Sequence, residues 1–159
     1  MDLTLPTRLR LGVSSCLLGE AVRYDGAGKF DHWVADRFGP MVEWTHVCPE
    51  AEAGLGVPRP KIQLEAAADG VRVREIEART DHTDRLHAWA DGRLGEGDLE
   101  ALDGYVFKAR SPSCGVEGVD VFDGDEAVDR APGFFARRLL ARDPLLPTCT
   151  EDDVQVPER

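Results

Sequence analysis

The sequence predicts a single α/β domain in which a mostly parallel sheet carries helices on its faces. Three observations point there. Apolar, strand-like runs alternate with segments of helical spacing along the chain. A length of 159 residues fits one domain whose core needs no disulfide staples. A composition of 42% hydrophobic and 31% charged residues belongs to globular rather than disordered chains. No internal repeat, low-complexity tract or linker divides the chain, so residues 1–159 are expected to form one unit.

Residues 9–17, Leu-Arg-Leu-Gly-Val-Ser-Ser-Cys-Leu, read as a strand with Cys16 at its carboxyl end and Gly19 closing it. Asp31 to Phe38 has helical spacing through Val34 and Phe38, with Gly39-Pro40 as the stop. Met41–Val47 reads as a second strand ending in Cys48-Pro49-Glu50, and Gly54, Gly56, Pro58 and Pro60 make 53–61 a loop. Ile62–Glu65 and Val71–Glu75 flank Ala68-Asp69-Gly70 and predict a hairpin. Leu86, Trp89, Ala90 and Leu94 share one face of a helix over 83–94, with Thr80, Asp81 or Thr83 as candidate caps. Gly104–Ala109 is a third strand running into Ser111-Pro112-Ser113-Cys114-Gly115. Val119–Phe122 suggests a further strand and Phe134–Ala141 a last helix. The segment after Pro147 (148–159) reads as a polar, loosely held tail. Strands and helices in this order give a Rossmann-like domain.

Nineteen basic against thirty acidic side chains leave a net charge of -11. Nucleic-acid binders ordinarily carry a basic excess, because phosphate contacts supply most of their non-specific affinity. DNA is therefore not an expected partner and RNA is disfavoured. Arg8, Arg10, Arg23, Arg59 and Lys61 are the candidates for a local basic patch. No apolar run reaches the ~18–20 residues of a membrane span, and the amino terminus lacks the pattern of a secretory signal. A cytoplasmic protein, monomeric or a small homo-oligomer, is the expectation.

Cysteines stand at 16, 48, 114 and 149, and no two form a CxxC pair. Cys16, Cys48 and Cys114 each follow a predicted strand, just before a turn containing Gly or Pro. Parallel sheets bind ligands beyond the carboxyl ends of their strands, so neighbouring strands would bring three thiols to one crevice. Such a set suits a soft metal, either zinc or an iron–sulfur cluster, and leaves a coordination position free. Glu50, two residues from Cys48, would face the same way in an extended segment and serve as general acid or base. The hydroxyls of Ser111 and Ser113 and the backbone N–H groups of their turn could orient a substrate. Competing motifs fail on spacing. Arg23 is one residue too far from Cys16 for a CxxxxxR phosphatase loop, and Gly28-Lys29-Phe30 lacks the rest of a P-loop. His82 and His87 are five residues apart rather than four.

The runs VSSCLLGEAVRYDG (13–26), CPEAEAGLGVPR (48–59) and KARSPSCG (108–115) together resemble the thiouracil desulfidase family over about residues 9–147. The resemblance implies a [4Fe-4S] cluster held by three cysteines, here Cys16, Cys48 and Cys114, with one iron open to the sulfur of a thiolated pyrimidine. It implies non-redox replacement of that sulfur by the oxygen of water, with release of sulfide. The family's catalytic glutamate and serine fall on Glu50 and Ser111, with Ser113 the less favoured serine. Arg23, Tyr24, Asp25 and Arg59 lie in matching loops and are expected to shape the substrate pocket, and Asp81 and Thr83 match a family Asp-x-Thr. Relatives that act on transfer RNA usually carry a further carboxyl-terminal domain, which this sequence lacks. With the acidic charge, this favours a free thiopyrimidine over RNA. The alternatives are thiouridine in RNA or nucleotides, and a non-catalytic module that binds a metal or cluster. Cys149 lies in a stretch where many relatives read acidic, and is expected to be an incidental thiol rather than a cap on the open iron.

Overall fold

The computed structural model describes residues 8–155; residues 1–7 of the expected domain and 156–159 of the expected tail lie outside the described residues. Among the described residues there are two four-stranded sheets and four α-helices. The first sheet contains β1 (Leu9–Ser14), β2 (Val42–Val47), β5 (Gly104–Phe107) and β8 (Thr148–Thr150), in the order β2-β1-β5-β8. Every pairing in it is parallel. From β1 the chain passes to β2 on one side and, later, to β5 on the other. The order therefore reverses at β1, and the carboxyl ends of β2, β1 and β5 form the crevice where such sheets bind ligands.

All four residues of β5, Gly-Tyr-Val-Phe, are buried, as expected for a strand covered on both faces. Alternation sorts them. Val106 packs with Val13, Leu17 and Val34 on one face, where α1 (His32–Phe38) lies. Tyr105 and Phe107 point to the other and join the larger core with Leu86, Leu94, Phe135 and Leu139. Those four come from α3 (Thr83–Leu94) and α4 (Phe134–Arg142). Each such side chain, fully buried, contributes on the order of 1.5–3 kcal/mol. Gly12 sits where β1 crosses the Tyr105 ring, and a Cβ there would lie 2.2 Å from it.

The second sheet has the order β4-β3-β6-β7. The expected hairpin is present as β3 (Ile62–Ala67) antiparallel to β4 (Gly70–Glu75). β6 (Val119–Asp123) runs parallel to β3 and antiparallel to β7 (Glu126–Ala131). The parallel sheet is thus only half of the strand inventory.

Two boundaries differ from the sequence reading. The first strand stops at Ser14, and Ser15–Leu18 form a 3-10 turn that carries Cys16. The start of the expected loose tail is instead β8, seated against β5, with Thr150 at its end and the following Glu151 buried. Its backbone groups find partners in a strand that would otherwise be an edge. No helix among the described residues is long and apolar enough to cross a membrane.

Neither proposed threonine nor Asp81 fills the N-cap position of α3, which is His82. Asp81 acts one residue earlier: its carboxylate accepts from Thr83 N at 2.9 Å and Arg72 Nε at 2.9 Å. Burial opposes its charge, but the bonds from Thr83 and Arg72 outweigh it and hold the carboxyl well below the usual range. A depressed folded pKa stabilises fully above the unfolded value near ~3.9 and loses that contribution as pH falls toward the folded value. Asp81→Asn is therefore expected to be less stable than the native chain at pH 6. The gap should narrow as pH drops below about 4, which urea unfolding at several pH values measures.

Candidate active site

Cys16 lies in the 3-10 turn after β1. Cys48 caps α2 (Pro49–Glu52) directly after β2, and Cys114 lies in the loop beyond β5. Because β2, β1 and β5 are neighbours, the three thiols open onto one cavity of about 430 Å³, a size suited to a small ligand. Cys149 does not line it. That thiol sits in β8 and packs toward Val13, Leu17 and Val106.

Glu50 reaches the same cavity, though not by the expected route. Residues 49–52 are helical rather than extended, so the carboxylate arrives from the first turn of α2. Both its oxygens are engaged. Arg59 Nε donates to Oε1 at 3.1 Å, and Ser113 Oγ donates to Oε2 at 2.7 Å. The Arg59 side chain is only 3% exposed, and its other bond goes to Gly56 O at 2.9 Å. It thereby holds Glu50 in place from the cavity wall.

The two serines divide their work. Ser111 Oγ accepts from Ser113 N and Cys114 N, each at 3.1 Å, and so closes the turn that presents Cys114. Ser113 is the serine bonded to Glu50. The loop is pinned from behind by α4. Its first N–H groups, which a helix leaves without internal partners, donate to Pro112 O and Ser113 O. This approach needs Gly133, where a Cβ would meet the Ser113 carbonyl carbon at 2.4 Å and Cys114 N at 2.7 Å. Both are backbone atoms and cannot step aside. Gly133→Ala is expected to cost about 1–3 kcal/mol, read as a lowered melting temperature with an accompanying loss of activity.

Arg23, Lys29, Arg59, Lys61, Lys108 and Arg110 line the cavity against a single carboxylate, Glu50. A chain of net charge -11 thus gathers its positive charge here. Of the suspected patch, Arg23, Arg59 and Lys61 are brought together, whereas Arg8 and Arg10 are not. Tyr24 stands among them, with the Lys61 ammonium 5.1 Å and the Arg23 guanidinium 5.8 Å from its ring centre. Asp25 is not in the wall, since its carboxylate accepts from Ala27 N and shapes the turn instead. Asp81 and Thr83 also lie outside the cavity, at the junction of β4 and α3.

Burial pushes the Cys16 thiol up to about 11 against the pull of Lys108. It raises Cys48 too, and raises Cys114 well above the usual thiol range against a bond from Ser14. Cys48 also raises Cys16, and Cys16 and Cys48 both raise Cys114. With Cys114 buried and Cys16 and Cys48 half-buried, thiolates here are costly unless a cation compensates them, and coordination deprotonates a thiol outright. The donor set therefore fits a thiophilic group. Among the described residues no three His, Cys, Asp or Glu side chains are placed to hold one metal ion; the thiols surround a shared space instead.

Three features escaped the sequence reading. Lys108 lines the cavity and pairs with buried Glu151. Glu52 accepts from Cys48 N at 2.7 Å and is gripped by Arg93 Nε at 3.0 Å. Arg93 in turn makes a two-pronged pair with Asp98. Lys108 and Glu52 stand inside two of the three quoted motifs, so proximity to Cys114 and Cys48 was an available signal. Arg93 and Glu151 carried none, because the partners that tie them to the site, Glu52 and Lys108, are remote in sequence.

The family model described as 2-thiouracil desulfurase matches residues 11–151. The solved structure of a [4Fe-4S]-dependent thiouracil desulfidase, TudS, superposes with a TM-score of 0.68 at 32% sequence identity. The match covers 92% of this chain and 93% of that one. No curated protein matches.

Proposed function

From the premise that this chain belongs to the 2-thiouracil desulfurase family, we propose how its cavity carries out [4Fe-4S]-dependent desulfuration of thiouracil. Cys16, Cys48 and Cys114 hold the cluster, leaving one iron without a protein ligand. When bound, the cluster supplies a Lewis-acidic, thiophilic iron. Three thiols on one cavity, together with the likeness to a [4Fe-4S]-dependent desulfidase, favour an iron–sulfur cluster over a single zinc ion. The observation that carries the reading is the convergence of these thiols with Glu50 on one cavity.

Glu50 is the general base. Arg59 and Ser113 orient its two oxygens, so the carboxylate is aimed before water arrives, and it takes a proton as the water oxygen bonds to the ring carbon. Ser113 relays or steadies that proton, while Ser111 keeps the turn closed. This exchanges the ranking of the two serines implied by the resemblance. Tyr24 offers a ring face to a planar base.

Metal analysis of anaerobically purified protein, with an assay for sulfide released from thiouracil, tests the reading. About four irons and four acid-labile sulfides per chain, with sulfide release, are expected. One zinc and no labile sulfide would overturn it. A second reading, that the thiolated base carries a phosphate, is favoured by Arg23, Lys29 and Lys61, none of which is ion-paired among the described residues. Comparing kcat/KM for a thiolated nucleoside and its monophosphate at two salt concentrations separates the two readings.

A further inference from the structure

Lys108 lies just beyond β5, and its side chain is only 15% exposed. The ammonium is 2.8 Å from Glu151 Oε1 and donates to Ala109 O at 2.8 Å. Glu151 is itself buried, and its other oxygen accepts from Ala109 N at 2.7 Å. On the opposite side of the residue, Lys108 N donates to Ser14 Oγ at 2.9 Å. Two of the three ammonium donors are thus used, and the third is left for whatever fills the cavity. The other cavity cations differ. Arg59 is paired with Glu50, Arg110 reaches out to Asp152 with its side chain 70% exposed, and Arg23, Lys29 and Lys61 have no carboxylate partner among the described residues.

Lys108, just beyond β5, and Glu50, in α2, enter the cavity from different elements of the fold. Burying an ammonium with a carboxylate costs solvation that the pair alone does not reliably repay, and this pair lies against the reacting space.

We propose that Lys108, held by Glu151, is a further catalytic residue that hydrogen-bonds the substrate's sulfur as the carbon–sulfur bond breaks. The inference rests on the desulfidase reading. In that reaction the water oxygen bonds to the ring carbon, and the electron pair of the breaking carbon–sulfur bond goes to sulfur. Of the two water protons, one is taken by Glu50 and passed to solvent, and the other leaves with sulfur as hydrosulfide. Lys108 keeps its own proton throughout. Its donated bond strengthens as negative charge collects on sulfur, so it acts chiefly in the transition state.

Lys108→Met and Lys108→Arg test this in the iron-loaded protein, with iron content measured for each. Lys108→Met is expected to keep its iron, lose about 100-fold in kcat and change KM by less than about threefold, with Lys108→Arg recovering much of the rate. Independently of turnover, titration with sodium sulfide followed by visible absorption should show hydrosulfide binding about tenfold more weakly to Lys108→Met. Native kcat and native sulfide affinity in Lys108→Met would overturn the role of Lys108 while leaving the desulfidase reading intact. Iron-loaded native protein that releases no sulfide from thiouracil would overturn that reading, and this role with it. Should Lys108→Met lose its iron, Lys108→Gln, uncharged but still a donor, decides by the same two measurements.

Discussion

Glu50→Gln is expected to lower sulfide release from thiouracil by about 10²–10⁴-fold while leaving iron content and visible absorption unchanged. The substitution keeps the shape of the side chain and an oxygen that can accept from Ser113. It removes the group that accepts a proton from water, together with the ion pair to Arg59. An equal loss in kcat and kcat/KM would mark a contribution made only in the transition state. A variant with native kcat would show that the carboxylate is a structural partner of Arg59 and nothing more. Because the Arg59 side chain is only 3% exposed, its unpaired charge will also cost stability. Melting temperature should therefore be recorded beside activity.

Cys114→Ala is expected to abolish activity and leave the protein without the cluster's visible absorption. Cys114 is the deepest of the three thiols, fully enclosed by the loop that Ser111 closes and α4 pins. Loss of one ligand of three leaves the remaining two thiols unable to retain a cluster against solvent. Cys16→Ala and Cys48→Ala should behave alike, and Cys149→Ala, away from the cavity in β8, should retain iron and turnover. Full iron content in Cys114→Ala would remove it from the ligand set. The apo protein should remain folded, since the sulfur occupies one wall of a core otherwise built from Tyr105, Phe107, Phe135 and their neighbours.

Much of this was legible in the residues. The strand-like runs at 9–14, 42–47 and 104–107 alternate with helical segments and so announce a parallel sheet, and of the three the 104–107 run is the one buried along its whole length. Asp31 announces α1 through its short carboxylate, which accepts from Val34 N. The helix over Thr83–Leu94 follows from its apolar spacing. β7 was not legible: Glu126–Ala131 is almost wholly exposed and carries no alternating apolar face. Its only signal was Asp123-Gly124-Asp125, a turn sequence in which Gly124 takes a positive φ of 62°. β8 was hidden for a different reason. Three residues, Thr148–Thr150, carry too little pattern, and pairing with β5 alone makes them a strand.

The candidate site divides in the same way. Sequence by itself determined which chemistry was present: thiols after strands, a carboxylate beside one of them, and a hydroxyl-bearing turn. Those are properties of residue type and local spacing, and they survive without coordinates. Only the tertiary structure decided what each group does. It paired Arg59 and Ser113 with Glu50. It also kept Asp25 out of the cavity wall and drew Lys108 into it, held from behind by Glu151. These assignments join residues 9, 43 and 63 positions apart. They depend on which strands are neighbours and how closely a glycine lets a helix approach, and no local pattern encodes either.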